Sequence, residues 1–337
     1  MKNTSMNPKK KMVNFQDFFG TLQPLNHSTM KIVFLDAYSI GNADLSGLQA
    51  LGEWTAYETT TPAEVVDRCS TADVVITNKV KLLRAEIQAL PNLKLICIAA
   101  TGMNNVDTDY ATEKGIIVKN VADYSTNSVA ELTLTMALNL IHHTQYYDRY
   151  VKNGPYSMSG QFTHHIRPFS EIKGKKWGII GMGNIGKRVA EIAAVFGAEI
   201  AYYSTSGKNL EAGYPHLSLE ELLATCQIVS IHAPLYEMTQ NLLNYSTLCL
   251  MKPEAYLINV GRGGIVNEVD LARALRENKL AGAGVDVFSQ EPATADNPLL
   301  AEDIAEKLLL TPHLAWASKE ARQRLVDTMA EHIKSLL

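Results

Sequence analysis

The sequence predicts an α/β protein built from two parallel-sheet domains. Three observations carry that prediction. From residue 31 onward, short Val- and Ile-rich runs alternate with amphipathic stretches, the pattern of βαβ units. The alternation is gone through twice, with a long helical segment and an irregular link between the two passes. A chain of 337 residues also exceeds what one ordinary core accommodates, so about two domains are expected.

In chain order, residues 1–29 stand apart. They are polar, carry the cluster Lys9, Lys10 and Lys11, and lack the apolar stretch and cleavage site of a secretory signal. They are expected to form a flexible extension, with the ordered chain starting near Met30. Strands are expected at 31–36, 74–77, 93–99 and 116–118, with helices at 82–90 and 109–114. One long helix is expected over 128–150, which has no Gly or Pro, and then an irregular link over 152–174. The second pass offers six strands, at 177–180, 199–203, 228–231, 255–260, 282–287 and 308–311. That is the count of a complete dinucleotide-binding fold. The last helix, 320–337, has no strand partner; returning to cover the first domain would make that domain discontinuous.

Composition narrows the function. Hydrophobic residues make up 46% and charged residues 20%, ordinary for a globular protein. A net charge of −4 without a basic stripe argues against a nucleic-acid partner. No apolar run reaches the roughly 18–20 residues of a membrane span. Cys69, Cys97, Cys226 and Cys249 are far apart, and three have apolar neighbours, so reduced thiols and a cytoplasmic setting are expected. No metal-ligand spacing is present, and no metal is expected.

Gly181-Met-Gly183-Asn184-Ile185-Gly186 matches G-x-G-x-x-G, and it follows an apolar strand and opens a helix over 184–196. In that context Gly181 permits the tight turn, Gly183 lets a pyrophosphate approach the backbone, and Gly186 allows helix to pack on strand. Val189, Ala193 and Phe196 are expected to share that helix's inner face. The acidic residue that usually accepts the adenosine ribose is replaced by Ser204. Without that carboxylate a 2′-phosphate is not repelled, and Ser204, Thr205, Ser206 and Lys208 can bind it. The cofactor is therefore read as NADP or NAD, with the missing acid tilting the reading towards NADP.

Arg262, Glu291 and His313 each follow a strand, at the edge where α/β sheets bind ligands. Together they supply what reduction of a keto acid requires. Hydride addition develops charge on the carbonyl oxygen, so a proton donor must stand beside it. His313 suits that task because imidazole titrates near neutrality. Glu291 would orient the ring, and Arg262 offers a planar fork to the substrate carboxylate and carbonyl.

The segments GMGNIG, NVGRGGIVNE, GVDVFSQEP and TPHLAWAS resemble, in order and spacing, the motifs of the D-isomer-specific 2-hydroxyacid dehydrogenases. The resemblance runs from about Lys31 to the C-terminus. It implies two Rossmann-like or flavodoxin-like domains, with the cofactor domain (128–313) inserted into a discontinuous substrate domain (30–127 and 314–337). It further implies Arg262, Glu291 and His313 as the catalytic set. Ala100, Thr101, Gly102 and Met103 would form the substrate loop. Val129, His232, Ala233, Pro234, Val260, Gly261 and Asp286 would lie along the cofactor. Trp316 reads either as a limit on substrate size or as packing at the domain seam. A homodimer is implied, with 128–150 and 152–174 as the interface. AATGMNNVD together with HLAWASKEARQRL looks most like the glycerate dehydrogenase (hydroxypyruvate reductase) branch, with small 2-keto or 2-hydroxy acids as substrates. Oxidation of 3-phosphoglycerate is a sister reading; the substrate loop has no basic residue for it, though Lys79 and Lys81 are near in sequence. A dinucleotide-sensing module, like the corepressors built on this fold, is the reading from another class.

Overall fold

The structure is a computed structural model and describes residues 29–210 and 213–336. The expectation for residues 1–29 therefore lies, save for residue 29, outside the described residues. The first sheet is made of β1 (Lys31–Phe34), β2 (Glu53–Ala56), β3 (Val74–Thr77), β4 (Leu95–Ile98) and β5 (Ile117–Asn120). All its pairs are parallel, in the order β2-β1-β3-β4-β5. This is the flavodoxin-like order. β3 and β4 are buried throughout, which explains their unbroken apolar runs VVIT and LICI. The edge strand β2 was not expected, because EWTA buries almost nothing and carries no apolar run to betray it.

Side chains alternate between the two faces of this sheet. Ile32, Phe34, Ile76 and Cys97 point to one face, where the terminal helix Lys319–Lys334 covers them with Leu325, Val326, Met329 and Ile333. Val33, Val75, Ile96 and Ile98 point to the other, against Ile87, Leu90 and Tyr110. The last helix of the chain thus belongs to the first sheet's core.

The second sheet contains β6 (Lys176–Ile180), β7 (Glu199–Tyr203), β8 (Ile228–Ile231), β9 (Tyr256–Asn259), β10 (Gly282–Val285) and β11 (Leu308–Leu310). Its order is β11-β10-β9-β8-β6-β7, again all parallel. The chain starts at β6, adds β7 on one side and then jumps to β8 on the other. That reversal opens a crevice at the C-terminal strand ends. A single parallel bridge, Tyr202 to His216, stands where a third strand would flank β7.

Three expectations need correction. The long helix over 128–150 is two helices, Thr126–His142 and Thr144–Lys152, divided at His143 in the left-handed region (φ 51°). The break falls where burial ends: the first helix buries nine residues, the second none. The link 152–174 contains a short helix, Pro155–Ser159, started by a proline after Gly154. Phe196 caps the helix Asn184–Val195 and is 46% exposed, so that helix packs through Gly186, Val189, Ala190 and Ala193 instead.

Candidate active site

A cleft of about 250 Å³ lies where the C-terminal edges of the two sheets face each other. The first sheet contributes Asn78 and Lys79 after β3, Ala100 and Thr101 after β4, and Tyr124 and Ser125 after β5. The second contributes Ile185, His232, Ala233, Pro234, Val260, Gly261, Arg262, Asp286 and His313. Val129, Ala315 and Trp316 close the cleft from the seam between the sheets.

His313 and Glu291 are brought together by folding. Nδ1 of His313 stands 2.7 Å from a Glu291 carboxylate oxygen, and the other oxygen accepts the backbone N–H of Phe288 at 3.0 Å. Burial works to raise the pKa of Glu291. The hydrogen bond and charge interaction with His313, the Phe288 N–H and the charge of Lys79 outweigh it, and the carboxyl stays below its ordinary range. With Nδ1 engaged, Nε2 is the ring nitrogen left to face a substrate.

Asp286 holds the His313 loop. It is fully buried, and its carboxylate accepts the Thr311 hydroxyl (2.5 Å) and the backbone N–H groups of Leu314 and Ala315 (2.9 Å each). Its carbonyl also accepts the His313 N–H at 2.7 Å. His313 itself sits at φ 52°, a conformation costly for a non-glycine residue. The sequence reading put Asp286 beside the cofactor; its role in positioning His313 was missed.

Arg262 projects from a loop shaped by Asn259, whose side chain accepts the Gly261 N–H (3.2 Å) and donates to the Arg262 carbonyl (3.1 Å). The guanidinium donates to the Gly261 carbonyl at 2.8 Å, and Nη2 would lie 3.3 Å from a Cβ placed on Gly102. Arg262 thus abuts the expected substrate loop. Within that loop Ala100 and Thr101 line the cleft, whereas Met103 is 41% exposed and is not part of its wall. Trp316 lines the cleft and meets Tyr124 edge-on, with ring centroids 6.3 Å apart.

The glycine turn fits a dinucleotide. Gly181 has φ 93°, and a Cβ there would lie 2.8 Å from the Ala233 nitrogen. A Cβ on Gly186 would lie 2.2 Å from the Gly181 carbonyl oxygen, so only glycine lets the helix sit this close. Above Gly183 there is open space, at the N-terminus of a twelve-residue helix. Open space over donor-rich backbone is what a pyrophosphate requires. Asn184 reaches across to the first sheet, its Nδ2 donating to Asp123 at 2.7 Å. At the far end of this unit Ser204 and Thr205 are buried, while Ser206 and Lys208 are exposed beyond β7. His232 makes a 3.0 Å hydrogen bond with Ser230, and burial pushes its imidazole down to about 3.

Sequence reasoning did not assign Asn78, Tyr124 or Ser125 to the site, and it noted Lys79 only as a neighbour in sequence. The rule that found Arg262 and His313 would have found them too, since each follows a strand of the first sheet.

Comparison with known proteins places these features in context. The family model of the D-isomer specific 2-hydroxyacid dehydrogenase NAD-binding domain matches residues 134–315. A hydroxypyruvate reductase from Blautia hydrogenotrophica is 36% identical over 317 residues, covering 91% of this chain and 97% of the relative. A glycerate dehydrogenase from Methylorubrum extorquens is 36% identical over 310 residues, 92% of this chain and 96% of the relative. Among solved structures, the NADPH-dependent glyoxylate/hydroxypyruvate reductase from Sinorhizobium meliloti, in complex with NADP and malonate, superposes with a TM-score of 0.78. It is 26% identical and covers 91% of this chain and 93% of that one.

Proposed function

The chain belongs to the D-isomer-specific 2-hydroxyacid dehydrogenase family, an NAD(P)-dependent oxidoreductase acting on 2-hydroxy acids, and from that premise we propose that it reduces hydroxypyruvate and glyoxylate to D-glycerate and glycolate. The observation that carries the reading is that His313, 2.7 Å from Glu291, lines one cleft with Arg262. The cofactor, when bound, supplies the hydride. The chain's own residues do the rest. Arg262 receives the substrate carboxylate and keto oxygen in its fork, against the backbone of Ala100–Met103. His313 gives a proton to the keto oxygen from Nε2, held in aim by Glu291, and takes it back in the reverse direction. Trp316 and Tyr124 restrict the side chain to a short one.

For the cofactor, Gly181–Gly186 would cradle the pyrophosphate. Val129, Ala233, Pro234, Val260, Gly261 and Asp286 would flank the nicotinamide. At the adenosine end the exposed Ser206 and Lys208 support acceptance of a 2′-phosphate, hence NADP before NAD. The substrate unit would be 30–127 with 314–337, and the cofactor unit 128–313. A homodimer is supported by the apolar side chains Val151, Met158, Phe162, Ile166 and Phe169, all more than half exposed along one segment. No helix among the described residues is long and apolar enough to cross a membrane. The unbridged Cys69, Cys97, Cys226 and Cys249 support a cytoplasmic setting.

The test is oxidation of NADH and NADPH, separately, against hydroxypyruvate, glyoxylate, pyruvate and 3-phosphohydroxypyruvate, with His313→Ala as control. Hydroxypyruvate and glyoxylate should be turned over fastest. His313→Ala should lose roughly 10²- to 10⁴-fold in turnover while binding the dinucleotide normally. Tight dinucleotide binding without turnover of any keto acid would overturn the reading in favour of a sensing module.

A further inference from the structure

The roles proposed above leave one charged side chain in the cleft unassigned. Lys79 stands at the C-terminal end of β3 on a loop that the protein fixes firmly. The buried carboxylate of Asp36, at the end of β1, accepts the backbone N–H groups of Asn78 (2.8 Å), Lys79 (2.6 Å) and Val80 (3.2 Å). The Val80 carbonyl is in turn held by the Thr77 hydroxyl (2.8 Å) and by Asn105 Nδ2 (3.1 Å). Asp36 is thus engaged with the main chain. Among the described residues the Lys79 ammonium makes no hydrogen bond or ion pair.

Lys79 is exposed, but into the cleft, which it lines together with Arg262 and His313. The protein surrounding the ammonium lowers its pKa, and the nearby Arg262 guanidinium lowers it further. Glu291 and Asp36 oppose both without cancelling them. A cation on a rigid loop, beside a second cation and without a direct partner, favours a ligand oxygen.

The other charged groups of the cleft have partners or roles of their own. A substrate carboxylate answers Arg262, and Glu291 is paired with His313. Lys79 remains. A 2-keto acid held by its carboxylate at Arg262 and by its carbonyl at His313 has one direction left, the substituent on the keto carbon.

We propose that Lys79 is a specificity-determining residue whose ammonium donates to an oxygen on C3 of the substrate, selecting a hydroxymethyl over a methyl side chain. The proposal rests on the keto-acid reductase reading above. It adds a discrimination between hydroxypyruvate and pyruvate, which differ by that one oxygen.

The two substrates are compared by kcat/KM in the wild type, Lys79→Met and Lys79→Arg. Loss of a charged donor to a ligand oxygen costs roughly 10- to 100-fold. Lys79→Met should lose that factor on hydroxypyruvate and less than about threefold on pyruvate, and Lys79→Arg should recover part of it. Equal losses on both substrates would overturn the proposal, since Lys79 would then serve the carboxylate or carbonyl they share. So would no loss on either.

A binding measurement without turnover separates this proposal from the reading beneath it. Protein loaded with NADPH, which cannot oxidise a hydroxy acid, is titrated with D-glycerate and with D-lactate by calorimetry. The wild type should bind D-glycerate more tightly, and Lys79→Met should bind the two alike. If that pattern holds while no keto acid is turned over, the enzyme reading fails and the Lys79 assignment stands. Equal binding by the wild type, or a preference that survives in Lys79→Met, overturns the assignment.

Discussion

His313 holds a left-handed backbone conformation, and the cause is Asp286 rather than His313 itself. The buried carboxylate gathers Thr311, Leu314 and Ala315 around it, and the residue between them must bend. Asp286→Asn would set an amide NH₂ against a backbone N–H donor, that of Ala315 if the remaining oxygen keeps Thr311 and Leu314. It should lower stability by about 2–4 kcal/mol, read by chemical denaturation, and reduce kcat as His313 drifts from Glu291. Unchanged kcat would show that the loop is held by other means. Ser204 is the other residue whose chemistry is decided locally. Ser204→Asp places a carboxylate where ribose hydroxyls are usually accepted, so the ratio of kcat/KM for NADH to that for NADPH should rise by about tenfold or more. A ratio that does not move would put the choice of cofactor elsewhere.

Elements are set at distances that single glycines decide. A Cβ on Gly263 would lie 1.8 Å from the Phe288 carbonyl oxygen, so the loops bearing Arg262 and Glu291 touch only because nothing stands between them. Gly263→Ala should separate these loops and abolish most turnover, while melting falls by a few degrees, about 1–3 kcal/mol. Gly186→Ala acts on a different junction, pushing the helix Asn184–Val195 off the Gly181 turn. Dinucleotide affinity, measured by fluorescence titration, should weaken by roughly tenfold or more while Arg262 and His313 keep their geometry. If affinity were kept, the turn would not be the phosphate cradle.

For the whole molecule, pH acts through a group in the interior. Burial holds the His232 imidazole at about 3, against an ordinary value of 6.5, so the native ring is neutral near pH 7. Between these two values the unfolded chain carries the extra proton. The stability this neutral ring contributes is therefore complete above pH 6.5 and is lost progressively as pH falls towards 3. The slope is at most about 1.4 kcal/mol per pH unit for one proton. His232→Gln should flatten the fall of melting temperature between pH 6.5 and 4.5; an unaltered profile would mean that other groups dominate acid unfolding. The two sheets are also joined by the chain itself. The Ser128 hydroxyl donates to the Ala315 carbonyl (2.6 Å) and accepts the Ser318 N–H (3.2 Å), while Asn184 Nδ2 donates to Asp123 (2.7 Å). The cleft residues are held against each other across this seam.

What the sequence by itself determined was local or periodic. Unbroken runs such as VVIT marked buried strands, and G-x-G-x-x-G marked the turn because only glycine tolerates the contacts at Gly181 and Gly186. Arg262, Glu291 and His313 were legible because each follows a strand, and parallel strands bring their C-terminal ends to one edge. The tertiary structure decided what depends on packing between distant segments. The helix break at His143 follows the end of burial, not a breaker residue, and β2 exists only as a partner for β1. Lys79 stood out only as a basic residue near the substrate loop in sequence, because the residues whose charges bear on it, Asp36, Arg262 and Glu291, are remote in sequence. Strand order and the fold of one sheet's edge against the other brought Lys79 and Arg262 into one cleft, and neither is written in any local stretch of the chain.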